Sequence, residues 1–199
     1  IELTATQVKA FGKSSSDIYS ESIDNARDIG NLRENKTRLN LITTLNKKEN
    51  EDWFSFKSFN DGKLRFSAIN VSEIDDENKK KDVNALLDSN NEDAGEDIKA
   101  MFYGKGLRVE IYTKQGNRSN LIASNDEKNE KAFDAFKSML DGEFKASKGQ
   151  TYYVHVTTTD GKPSKEDTLY ALQVQLGNKY TENYSVKEQA VDYENLSSA

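Results

Sequence analysis

In the stretch GKLRFSAINVS, residues 62–72, apolar and polar side chains alternate, with Leu64, Phe66 and Ala68 on one side and Arg65 and Ser67 on the other. The pattern recurs in GLRVEIYTK, where Leu107, Val109 and Ile111 oppose Arg108, Glu110 and Tyr112. It recurs again in TLYALQVQLG, where Tyr170, Leu172, Val174 and Leu176 oppose Ala171, Gln173 and Gln175. A period of two marks a strand buried on one face, so these segments read as half-buried antiparallel strands. Further strands are expected at Thr37 to Leu45, Trp53 to Ser58, Leu121 to Ser124, Gly142 to Ala146 and Thr151 to Thr157. Asp-Gly pairs at Asp61-Gly62, Asp141-Gly142 and Asp160-Gly161 supply residues that tolerate positive φ where strands reverse or helices end. Roughly seven or eight short strands separated by such turns predict a mainly β fold, an antiparallel β-sandwich of jelly-roll-like type.

Three segments carry helical spacing instead and predict two or three short helices decorating the sandwich. In SSSDIYSESIDNARDIGNL, Ile18, Tyr19, Ile23, Ala26 and Ile29 share a face, with Ser16 or Asp17 as N-cap and Gly30 as the stop. The second segment, residues 82–102, groups Val83, Leu86 and Leu87, then Ile98, Met101 and Phe102. The third, NEKAFDAFKSMLDG, groups Phe133, Phe136, Met139 and Leu140. With 35% apolar and 31% charged residues among 199, a compact core must coexist with long polar segments. The domain reading is therefore an N-terminal arm and helix start at 1–21, a sandwich at 22–177 with an acidic helical insertion at 73–105, and a polar C-terminal arm at 178–199.

A net charge of −6 argues against a nucleic-acid footprint, which needs clustered cations to displace phosphate counterions. With no cysteine, disulfides, thiolate metal sites and cysteine nucleophiles are all excluded. No stretch approaches the roughly 20 apolar residues of a membrane-spanning helix. The chain begins at Ile1, which fits a processed mature protein and equally a trimmed one.

The order of the motifs is more specific than any one of them. NARDIGNL (25–32) is followed by a strand, then DWFSF (52–56) and DGKLRFSA (61–68). Later come LRVEIYTKQGN, LIASND, KGQTYYVHV and LYALQVQL. This order resembles the bacterial pre-peptidase C-terminal domain, a small secreted β-sandwich often appended to extracellular proteases and related to collagen-binding modules. The resemblance spans residues 22 to 177. It implies a secreted or cell-surface location and a non-catalytic role. The insertion at 73–105, the helical segment at 129–140 and both arms depart from the family pattern, and no protease accompanies the domain.

His155 is the only histidine and stands on the strand face opposite Tyr152, Val154 and Val156. No nucleophile signature accompanies it, so an enzyme is not expected and His155 reads as a surface strand residue. If Phe54 and Phe56 face the core, alternation turns Trp53 to the other face, and Tyr112 and Tyr153 are placed likewise. Trp53, Tyr112, Tyr153 and His155 are thus the candidate binding group, since exposed aromatic patches mark contacts. A covering helix or N-terminal segment of the same chain is the plainer alternative.

No cofactor is expected, with one alternative. Asp88 and the run SNNEDAGED that follows it offer Asp88, Glu92, Asp93 and Glu96 as oxygen ligands for calcium, and some relatives of the family bind calcium. The EF-hand spacing fails, because the glycine is Gly95 and Lys99 stands where a bidentate glutamate should close the loop. The expected function is a module for protein contacts, with a protein partner or another copy engaged through the terminal arms. Binding of collagen-like peptide or carbohydrate is the alternative.

Overall fold

The computed structural model describes residues 5–11, 22–45, 50–70, 106–159 and 168–188, with 5–11 and 185–188 as backbone alone. The fold is mainly β and is built from two sheets. The six-stranded sheet contains β1 (Ala5–Phe11), β3 (Thr37–Leu45), β5 (Gly62–Asn70), β8 (Phe144–Ala146), β10 (Thr168–Leu176) and β11 (Glu182–Glu188), in the order β1-β11-β3-β10-β5-β8. The five-stranded sheet contains β2 (Arg27–Leu32), β4 (Glu51–Ser58), β6 (Leu107–Gln115), β7 (Arg118–Ser124) and β9 (Thr151–Thr158), in the order β2-β4-β9-β6-β7.

The alternating sets meet as their period requires. Leu41, Leu64, Phe66, Leu172 and Val174 of the first sheet share one apolar core with Phe54, Phe56, Val109, Ile111, Val154 and Val156 of the second. This is a β-sandwich-like arrangement of two facing sheets. Where the core ends the chain turns polar, and the Tyr170 hydroxyl donates to buried Asp52 across the two sheets at 2.5 Å.

The sheets are mixed, not purely antiparallel as expected. Among the described residues β2 with β4, β11 with β3, and β1 with β11 are parallel. The first case has a simple cause. The chain leaves β2, crosses to the other sheet as β3 and returns as β4, so β4 runs the same way as β2.

One α-helix, α1 (Glu130–Leu140), is present among the described residues, together with a single 3-10 turn at Ile23–Asn25. Helix α1 starts where expected, with the Asn129 side chain accepting from the Ala132 N–H at 3.3 Å. It stops at Gly142, whose φ of 69° is the left-handed conformation that glycine adopts without strain. Its buried face, Ala132, Phe136, Met139 and Leu140, packs against β7 and β5 and so closes one side of the sandwich. Phe133, expected on that face, is only half-buried and lies under Lys137.

The helix expected to end at Gly30 is corrected in its described part. Residues Arg27–Leu32 are strand β2, and Gly30 sits in it at a bulge with φ 138°. A bulge adds one residue to the strand, which puts Ile29 and Leu32 on the core side although they are three apart. Three apart is also a helical spacing, which explains the misreading. The second expected helix lies outside the described residues.

The C-terminal segment read as an arm forms β11 between β1 and β3, so Glu182–Glu188 belongs to the six-stranded sheet. The outer face of that sheet is also less solvated than alternation suggests. Arg38 and Asn40 both donate to Asn183 Oδ1, at 2.9 and 2.5 Å, and all three side chains are buried. The Tyr180 ring lies 3.8 Å from the Arg38 guanidinium carbon, a cation–π contact that covers the charge. Among the described residues no helix is long and apolar enough to cross a membrane.

Candidate functional site

On the outer face of the five-stranded sheet, register brings the candidate residues together. Trp53 of β4 pairs with His155 of β9, which pairs in turn with Glu110 of β6. One row further along, Ser55, Tyr153 and Tyr112 align in the same way. Trp53 therefore does face away from Phe54 and Phe56, but it is only 9% exposed. Its cover comes from its own chain.

The Trp53 and His155 rings stack with centroids 4.2 Å apart and planes 12° from parallel, and Tyr112 leans on the same indole at 5.4 Å. Glu51 Oε1 accepts from Trp53 Nε1 at 3.0 Å and meets His155 Nε2 at 2.7 Å. His155 Nδ1 meets Glu110 Oε1 at 2.9 Å. A neutral imidazole has one N–H, so only the doubly protonated ring can donate to both carboxylates at once. The arrangement is an imidazole ring clamped between two carboxylates, roofed on one face by the indole.

The titration of the neighbours follows from this geometry. The His155 hydrogen bond holds the Glu110 carboxyl below its ordinary range, against the opposing pull of partial burial, and the nearby His155 charge adds to the lowering. Burial, together with the Glu110 charge and hydrogen bond, pushes the Tyr112 hydroxyl up to about 12. Tyr153 stands at the margin, its ring 5.6 Å from the Lys114 ammonium, which bonds Asp24 at 2.7 Å. That bond ties the 3-10 turn at Ile23–Asn25 to this face.

Of the four residues expected to bind, Trp53, Tyr112 and His155 form one contiguous cluster, and Tyr153 is its half-buried neighbour. Glu51 and Glu110, which complete the cluster, were not singled out from the sequence. The available signal was the outward set of each strand, which contains both. Asp88, Glu92, Asp93 and Glu96 lie outside the described residues. Among the described residues no group of three or more metal-ligating side chains is placed to hold an ion.

Both ring nitrogens of His155 are engaged by carboxylates, and among the described residues neither contacts a hydroxyl. The geometry suits it to hold β4, β9 and β6 in register. It does not suit the ring to draw a proton from a nucleophile. No protein-family model matches the chain, and no curated protein matches it.

Proposed function

We propose that the chain is a non-catalytic extracellular module, a jelly-roll-like sandwich of the pre-peptidase C-terminal type. In this reading it holds another copy of itself through its terminal strands, as a structural or accessory component of a cell-surface assembly. The observation that carries this reading is the placement of β1. It is the edge strand of the six-stranded sheet, with one backbone side paired to β11 and no strand on the other among the described residues. An open strand edge is a template for pairing with a second chain. Such a contact should bury more than about 1,000 Å² in total if it is stable. The spent hydrogen-bonding capacity of His155 supports the non-catalytic part of the reading.

The absence of cysteine gives a clean test. Single cysteines are placed in turn at each position of Ala5–Phe11 and, as a control, at Asn117 in the turn between β6 and β7. Under oxidation at least one β1 position should give a covalent dimer, and Asn117→Cys should not. Only monomer at every β1 position would count against pairing through this edge.

A second reading is favoured by one observation: Tyr112 and Tyr153 stand opposite each other in register and both are only half-buried. Collagen-like peptide or carbohydrate would stack on that pair, with calcium as a further ligand of the acidic insertion.

A further inference from the structure

On the side of the sandwich away from α1, a cleft of about 300 Å³ opens between β2 and the β3–β11 pair. Its apolar wall is Ile29, Leu39 and Phe59, and its polar groups include Arg33, Glu182 and Tyr184. Gly30 keeps the cleft open. A Cβ there would come within 3.0 Å of Leu39 Cδ2, at a φ of 138° that side chains rarely adopt.

Two groups of opposite charge on this cleft are left with unused capacity. Glu182 Oε2 accepts from the Tyr184 hydroxyl, but Glu182 Oε1 is a buried atom with no hydrogen-bond partner. The Lys36 ammonium lies 3.8 Å from it, an ion-pair distance too long for a hydrogen bond. Among the described residues the Arg33 guanidinium makes no hydrogen bond or ion pair, only a ring contact with Phe59 at 5.8 Å. A buried carboxylate oxygen without a donor is costly, and a ligand N–H would relieve it. A guanidinium fork on the same cleft matches a carboxylate.

We propose that this cleft binds a small amino-acid zwitterion with an aliphatic side chain. The ammonium donates to Glu182 Oε1, the carboxylate takes the Arg33 fork, and the side chain lies on Ile29, Leu39 and Phe59. The volume is at the lower end of ligand pockets, so it accommodates a single residue and excludes a long peptide. None of the residues named for this site belongs to β1 or to the His155 cluster.

The test is calorimetric titration of the full chain with L-leucine, with 4-methylpentanoate, which lacks the ammonium, and with 3-methylbutylamine, which lacks the carboxylate. Leucine should bind with a dissociation constant of about 1 mM or tighter, and each one-charge analogue about tenfold more weakly. Glu182→Gln should abolish the preference over 4-methylpentanoate, and Arg33→Met the preference over 3-methylbutylamine. Circular dichroism checks that both variants are folded. If all three probes bind equally to the unaltered chain, or leucine does not bind at about 10 mM, the proposal is overturned.

Discussion

Phe136→Ala is expected to lower the unfolding free energy by about 3–5 kcal/mol, the cost of a large cavity in a core that cannot fully collapse. Phe136 is fully buried and meets Phe66 edge-on with ring centroids 6.2 Å apart, so it fastens α1 to the six-stranded sheet. Phe133→Ala, three residues earlier on the same helix, should cost less than about 1 kcal/mol because that ring is half in solvent. Urea unfolding of the two variants measures the contrast. Equal losses would mean that α1 is not seated as described.

His155→Ala is expected to cost about 2 kcal/mol, discounted for the partial exposure of its carboxylate partners. It should also make Trp53 more accessible to acrylamide. The substitution removes the ring that stacks on the indole and leaves Glu51 and Glu110 without the imidazole between them. Trp53 is the only tryptophan, so its fluorescence reports this place alone.

Glu110 gives the same cluster a pH signature. Its folded pKa lies below the ordinary value of 4.5, so the charged form is favoured by folding. The stabilisation is therefore complete above about pH 4.5 and is lost as pH falls through the folded value. The stability difference between the unaltered chain and Glu110→Gln should shrink across that acid window. A difference that stays constant down to acid unfolding would contradict the clamp.

What the sequence made legible was set by how local the signal is. β3, β10 and α1 are read directly, because Leu39 and Leu41, Leu172 and Val174, or Phe136 and Met139 report their own periodicity. β2 was misread because its bulge gives Ile29 and Leu32 a helical interval. β11 was not read as a strand because Asn183 is held by Arg38 and Asn40 through side-chain hydrogen bonds, and no apolar alternation announces that. At the candidate site, alternation turned Trp53, Tyr112, Tyr153 and His155 to one face. It could not place Glu110 beside His155, because that contact depends on the register between β6 and β9, two strands distant in sequence. Trp53 was turned to the expected face, yet burial by its own chain makes it a packed residue and not an open platform.

The central claim, association through the terminal strands, is tested most directly by light scattering over a range of concentrations. The full chain is compared with one lacking residues 1–11. The full chain, 22.5 kDa as a single copy, should give at least twice that mass, and the shortened chain should give the mass of one copy. A full chain that stays monomeric at every concentration, or a dimer that survives loss of β1, would contradict the account.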